Sequence, residues 1–294
     1  MEKTKAKIVT DEIRPICVKR ILVALDSSSH SFSALKAAVE MAHHYKASLK
    51  GVFIHDSKLI NLANMPFLRE VGEYTAITRE ISSDGITRGM VVQSRWITQT
   101  FHKFTNQTGL HGEFEILHGN IYQIIDQEAE NCDLLVIGKS GTNPIGKPRL
   151  GSTARLVIKQ GKKPLLLVEE NDLLGHPIFV LFDDSLVGWI SLETGRNLLN
   201  TGENLNILLN EDSADEYRSA QKKIRSWAVE KQINIAFQPY KTDSFDRFLD
   251  KIYQLKIGLF IMPQLIEDIK QSLIDKCLKR ISLPILLIHH QGCD

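Results

Sequence analysis

The chain is poor in the features that mark an exported, membrane-spanning or nucleic-acid-handling protein. Only four cysteines occur in 294 residues, Cys17, Cys132, Cys277 and Cys293, and no two form a C-x-x-C pair. That scarcity excludes a disulfide framework and predicts reduced thiols in a cytoplasmic protein. Neither sign of charge is in excess: 36 Lys and Arg stand against 35 Asp and Glu, a net charge of +1. This balance gives no global electrostatic attraction to nucleic acid or to an acidic membrane. No apolar run approaches the ~20 residues that span a bilayer. Residues 1–18 carry Lys3, Lys5, Lys7, Asp11 and Glu12 and no apolar stretch. They read as a flexible tail, with no secretory signal expected.

What is present suffices for two cores. The chain is 43% apolar and exceeds the usual size of one α/β unit, so two domains of about 150 residues are expected. Apolar runs alternate with amphipathic stretches, the pattern of βαβ units on a parallel sheet. The first series predicts strands over Arg20–Leu25, Leu49–Ile54, Glu113–Leu117, Leu134–Ile137 and Lys163–Val168. Helices are predicted over Ser31–Tyr45, Ile121–Glu130 and Ala154–Lys159. The long connection 57–110 ends in Ile86, Met90, Ile97, Phe101 and Phe104 at helical spacing, which reads as a sheet-packing helix, or as a lid or partner-binding element.

Polar residues Glu169–His176 read as a linker, and a second series follows. Strands are predicted over Ile178–Phe182, Asn206–Leu209, Ile233–Gln238, Gly258–Met262 and Pro284–Ile288. The helices between them are Trp189–Asn200, Ala214–Lys231, Phe245–Leu255 and Glu267–Arg280. This order copies the first half, so the chain reads as an internal duplication. The expected organisation is a tail at 1–18, one domain at 19–170 and its copy at 177–294.

The most informative segment is Gly138-Lys139-Ser140-Gly141 with Gly151-Ser152-Thr153 behind it, directly after the apolar run Leu134–Ile137. A strand that ends in glycines and leads to a helix headed by Ser and Thr leaves backbone N–H groups free. The helix N-terminus adds about half a positive charge, and glycine removes the Cβ that would hold a bulky anion away. Such an arrangement suits a polyphosphate. Asp26 closes the first strand as Gly138 closes the fourth, and ligands of an open parallel sheet bind outside the carboxyl ends of its strands. The Asp26 carboxylate suits ribose hydroxyls or an exocyclic amine; alternatively, Asp-Ser-Ser-Ser is an ordinary helix start.

The spacing Gly-x2-Gly-x9-Gly-Ser resembles the nucleotide-binding signature of the universal stress protein family, in its ATP-binding branch. Arg20–Asp26 is similar to the family's opening strand with its terminal aspartate, Glu115–Gly119 to its third strand, and Lys163–Val168 to its closing strand. The resemblance implies two tandem open five-stranded parallel sheets with helices on both faces, strand order 3-2-1-4-5, as in the adenine nucleotide alpha hydrolases. It places Ala24 and Asp26 against the nucleoside, the Ile54 backbone at adenine, and Ile137 and Gly138 beside base and ribose. Gly141, Gly151, Ser152 and Thr153 would hold the phosphates of ATP, ADP or AMP, with Mg²⁺ on the phosphates. Lys139 either neutralises phosphate charge or is a solvated surface residue, and Lys147 and Arg149 lie in the same loop. Ala24 departs mildly from the proline or other small residue common there.

Other chemistry is less well supported. Gly141 to Lys147 imitates the start of a Walker A loop, but Pro148 stands where Mg²⁺ needs Ser or Thr. His30 and His118 have no partner assignable in sequence, so no catalytic residue is expected. A metal site at His289, His290 and Cys293 would lack a fourth ligand. In the second half, Pro263 stands near the place of Gly138, Leu265 follows, and only Asp183 and Asp184 survive, so no nucleotide site is expected there. Its use would be structural, with Val168 and its neighbours meeting Leu286–Ile288 in an intrachain pairing, or in a homodimer.

The function expected is therefore adenine-nucleotide binding in the N-terminal domain of a cytoplasmic stress-response regulator with a protein partner, and no nucleic acid or membrane. The alternatives are a stress scaffold or chaperone-like protein without nucleotide, or a slow ATPase. A redox flavoprotein on a related sheet accounts less well for the glycine spacing and Asp26.

Overall fold

A computed structural model describes residues 13–57, 69–71, 78–80, 83–140, 150–170, 174–244, 249–250, 257–264 and 283–289. By packing, the chain forms two units, Lys19–Gly161 and Lys162–Asp294 with Met1–Val18.

The N-terminal unit contains β1 (Arg20–Leu25), α1 (Ser29–Tyr45), β2 (Ser48–Asp56), β3 (Arg69–Val71), β4 (Thr78–Glu80), α2 (Ser83–Gln107), β5 (Gly112–Gly119), α3 (Ile121–Glu130), β6 (Leu134–Gly138) and α4 (Ser152–Gln160). Its parallel strands lie in the order β5-β2-β1-β6. These are the expected first four strands in the order 3-2-1-4. The short antiparallel pair β3–β4 was not legible in the connection. The helix expected over Ile86–Thr105 is there and extends over Ser83–Gln107.

Each element has a local cause. Ser28 caps α1 by accepting from the Ser31 N–H, and Lys46 closes it at φ 54°, its N–H on the carbonyls of Ala42 and His43. Ala34, Ala37, Ala38 and Ala42 let that helix lie close on β1 and β6. Lys50 in β2 ties α3 to the sheet, its Nζ 2.9 Å from Glu115 of β5 and 2.6 Å from Glu128 of α3. These partly exposed ion pairs raise the Lys50 pKa against the lowering effect of burial.

Behind α2, the ring of Phe101 is fully buried in a socket made by two glycines. A Cβ on Gly51 would lie 2.6 Å from that ring, and one on Gly112 would lie 2.8 Å from it. The aromatic partner is Phe114, with centroids 5.1 Å apart. The insertion helix is thus packed on β2 and β5 by a ring that needs both bare backbones.

The C-terminal unit contains β7 (Leu165–Val168), β8 (Ile178–Phe182), α5 (Leu186–Leu198), β9 (Asn204–Asn210), α6 (Ala214–Glu230), β10 (Asn234–Tyr240), β11 (Leu259–Pro263) and β12 (Ile285–Ile288). The order β10-β9-β8-β11-β12 is again 3-2-1-4-5, and β7 adds an antiparallel strand on β12, with Leu166 opposite Leu286. Leu165–Val168, the expected closing strand of the first series, is grouped by packing with the C-terminal unit. Strands β7, β8, β11 and β12 are buried along their whole length, as continuous apolar strands covered on both faces should be. A buried carboxylate joins α5 to α6: Glu193 accepts from the Trp227 indole at 2.7 Å and from Arg196 Nε at 2.8 Å. The helices expected at Phe245–Leu255 and Glu267–Arg280 lie largely or wholly outside the described residues.

Two stability predictions follow from the packing. Gly51→Ala should lower stability by about 1–3 kcal/mol through overpacking against Phe101, and Phe101→Leu in the same chain should recover part of the loss in urea melts. At the end of β12, burial pushes His289 down to about 4 from 6.5, and its Nε2 has no hydrogen-bond partner among the described residues. Below pH 6.5 the unfolded chain takes up this proton before the folded one does, so stability falls between about pH 6.5 and 4. His289→Leu should flatten that limb by up to about 3 kcal/mol in chemical denaturation at stepped pH.

Candidate functional site

At the carboxyl ends of β1, β2 and β6 lies a cleft of about 660 Å³, counting space open to solvent at its mouth. Strand β1 contributes Ala24, Leu25 and Asp26, β2 contributes Ile54, and β6 contributes Ile137 and Gly138. Helix α4 contributes Gly151, Ser152, Thr153 and Ala154 from its first turn. Eight of the nine residues selected for nucleotide contact therefore line one cleft: Ala24, Asp26, Ile54, Ile137, Gly138, Gly151, Ser152 and Thr153. The ninth, Gly141, lies outside the described residues, as do Lys147 and Arg149.

The turn after β1 is set by Asp26. Its Oδ1 accepts from the Ser28 N–H at 2.8 Å and from the Ser28 hydroxyl, and the Ser28 oxygen in turn caps α1. Ser31 Oγ donates to the Asp26 carbonyl at 2.6 Å. The helix-start reading of Asp26 is thus correct in part, with Ser28 as the cap and Asp26 orienting it. The second carboxylate oxygen makes no hydrogen bond among the described residues, and Asp26 is one of the residues bordering the cleft.

Gly138 lies in tight packing against the start of α1. A Cβ there would stand 3.1 Å from the His30 carbonyl carbon and 3.3 Å from the Ser31 nitrogen, so a side chain would press on the start of α1. The start of α4 is held at the same place, because the Gly151 N–H donates to the Lys139 carbonyl at 2.9 Å. Among the described residues helix α4 has no side-chain cap, and its first turn carries no acidic residue. By contrast α1, α3, α5 and α6 are capped by Ser28, Asn120, Ser185 and Ser213. An uncapped N-terminus leaves backbone donors and the positive end of the dipole for an anion.

Lys139 is not a solvated surface residue: it is 3% exposed and does not line the cleft. Asp26 is the one charged side chain among the described lining residues. The remaining lining was missed in the sequence. Ser28, Ser31 and Ser140 add hydroxyls, and Ile121 and Ile125 add an apolar wall from α3. The signal for the last pair was available: Gly119 at φ 150° ends β5, Asn120 caps α3, and Ile121 and Ile125 fall one turn apart on its inner side.

Of the two histidines considered for the rim, His118 is exposed and stacks on the buried His55 of β2 with centroids 4.9 Å apart. The Ser94 hydroxyl donates to the Met90 carbonyl, so it accepts from His55 Nε2 at 2.8 Å. Burial, and secondly the His118 charge, lower the His55 pKa.

The C-terminal repeat keeps the turn and differs at the end of its fourth strand. Asp183 Oδ1 accepts from the Ser185 N–H and hydroxyl, and Ser185 caps α5, as Asp26 and Ser28 do in the first repeat. The ladder pairs Ile261 with Val180, which carries Pro263 to the level of Phe182, the level Gly138 holds beside Leu25 in the first repeat. Leu265 lies outside the described residues.

Comparisons with known proteins agree with this architecture. The universal stress protein family profile matches residues 18–169. A curated universal stress protein of Methanocaldococcus jannaschii, MJ0531, is 24% identical over 154 residues, which is 52% of this chain and 82% of that protein. A universal stress protein crystal structure from Archaeoglobus fulgidus superposes with a TM-score of 0.69 at 15% identity, covering 92% of this chain and 98% of that one. A functionally unknown protein from Pseudomonas aeruginosa gives a TM-score of 0.59 at 12% identity, with 92% of each chain covered. Among the described residues no helix is long and apolar enough to cross a membrane. With the profile spanning half the chain and the fold shared along nearly all of it, this chain belongs to the universal stress protein family.

Proposed function

We propose that the N-terminal unit binds an adenine nucleotide, ATP in the first instance, and that occupancy is a regulatory signal in a cytoplasmic stress response. The observation that carries this reading is the uncapped start of α4, whose Gly151, Ser152, Thr153 and Ala154 line the same cleft as Asp26. The lining divides by chemistry into parts that a nucleotide needs together. Ala24, Ile54, Ile121, Ile125 and Ile137 suit the faces of a purine, and Asp26 with a free carboxylate oxygen suits ribose hydroxyls. Backbone N–H groups and the hydroxyls of Ser140, Ser152 and Thr153 suit phosphate oxygens.

With Asp26 as the charged lining residue, phosphate binding rests on fixed dipoles, and Mg²⁺ on the phosphates would reduce the charge to be held. Asp26 already orients the turn through one oxygen, so its role is to position the nucleoside, and the reading is binding rather than turnover. The C-terminal unit is read as structural, because Pro263 stands where Gly138 admits the start of the helix.

The test is denaturation of the purified protein with assay of released nucleotide, together with thermal shift on adding ATP, ADP or AMP with Mg²⁺. ATP is expected to raise the melting temperature. Ser152→Asp puts a carboxylate in a first turn that has none. It should keep or raise the ligand-free stability, by about 0.3–1 kcal/mol, while weakening ATP at least about ten-fold. Asp26→Asn should weaken ATP with the fold retained. No shift with any of the three nucleotides would leave the scaffold reading instead.

A further inference from the structure

The insertion helix α2 presents an outward face that the nucleotide reading does not use. Val91, Val92 and Trp96 on it are 52%, 67% and 48% exposed, while Ile97, Phe101 and Thr105 on the opposite face are buried against the sheet. From Gly85 to Gln107 the sequence has Arg88, Arg95 and Lys103 and no Asp or Glu. Arg95 is exposed beside Val92 and Trp96, and Lys103 is exposed two turns on. Around Arg95 and Lys103 the face therefore combines a short apolar strip with positive charge, on a stretch of helix from Gly85 to Gln107 that carries no carboxylate.

The same two turns are bonded to the cleft. Gln93 Nε2 donates to Ser27 Oγ at 2.8 Å, in the turn between Asp26 and Ser28. Ser94 holds His55, which follows Ile54 in β2. Trp96 packs edge-on against Phe32 of α1 with centroids 4.8 Å apart. Residues 93, 94 and 96 thus touch the ends of three elements that build the cleft, with exposed Val91, Val92 and Arg95 beside them and Trp96 itself part of the exposed face.

We propose that the outward face of α2 docks an acidic amphipathic helical segment of a partner protein, and that nucleotide in the cleft alters this docking through the Gln93–Ser27 contact. Charge complementarity selects the occupant: carboxylates on the partner meet Arg95 and Lys103 while its apolar side chains cover Val92 and Trp96. A lipid surface fits less well, because the apolar strip ends at Gln99, which is exposed, and the broader apolar face of the helix is spent on the sheet. The docking stands on the face alone; its coupling to nucleotide rests on the function proposed above.

Trp96 supplies the readout, since the other two tryptophans, Trp189 and Trp227, are buried. The probe is a synthetic helical peptide of leucine and glutamate at amphipathic spacing, titrated into the full chain and followed by tryptophan emission. Its controls are the same peptide with lysine for glutamate, phosphatidylserine vesicles, and a single-stranded RNA. Saturable change with the acidic peptide only, lost in Trp96→Phe, supports the proposal. Val92→Asp and Arg95→Glu should each weaken it about ten-fold with the melting temperature unchanged.

Equal response to both peptides, or response to vesicles or RNA without the acidic peptide, overturns docking. For the coupling, ATP should change peptide affinity in the natural chain and leave it unchanged in Gln93→Ala, which still binds both. ATP that raises the melting temperature without changing peptide affinity overturns the coupling alone. ATP that does neither, with peptide binding intact, overturns the nucleotide reading and leaves the docking surface standing.

Discussion

The close approach of the start of α1 to the end of β6 is the constraint on which the cleft depends. Gly138 admits it, since a Cβ would press on the backbone of His30 and Ser31. Once α1 begins there, Ser28 and Ser31 border the cleft and the Asp26 carboxylate is fixed by the turn that caps the helix. The bond from the Gly151 N–H to the Lys139 carbonyl then brings the start of α4 to the same strand end. Two helix N-termini converge on one bare residue, and the crevice between β1 and β6 acquires its donors from that convergence.

The duplicated architecture separates what the fold needs from what a ligand needs. Both repeats fix the first turn with an aspartate oxygen on the serine that caps the next helix, so Asp26 taken alone says little about binding. The repeats diverge at the fourth strand, where β6 ends in Gly138 and β11 ends in Pro263. A ring at that position removes a backbone donor and occupies the space the glycine leaves. The C-terminal unit instead places its continuous apolar strands in a doubly covered sheet, with Glu193 satisfied by Trp227 and Arg196 between two helices.

The strands were legible because parallel strands covered on both faces must read as unbroken apolar runs, and Leu134–Ile137 and Ile285–Ile288 do. The glycine motif was legible because a polyphosphate needs bare backbone at a helix start. The pairing of Val168 and its neighbours with Leu286–Ile288 was expected from the resemblance alone, since nothing local in Leu165–Val168 names its neighbour. Two features were not legible. The socket of Phe101 needs Gly51 and Gly112 on two different strands, so neither glycine shows its purpose in its own element. Lys139 looked equally suited to solvent and to phosphate; its burial follows from tertiary packing, which a loop sequence does not encode.

Electrostatics constrains what the cleft can hold. Each helix start contributes about half a positive charge, and the described lining sets the negative charge of Asp26 against that. A triphosphate carries more charge than two helix starts offset, and desolvating it in a partly apolar cleft raises the cost further. On the nucleotide reading the anion therefore enters with its own divalent counter-ion. The carboxylate must also meet the hydroxyl end of the ligand rather than the phosphate end. Asp26 can meet that condition, because the turn uses one oxygen and holds the carboxylate at the end of β1 beside the cleft.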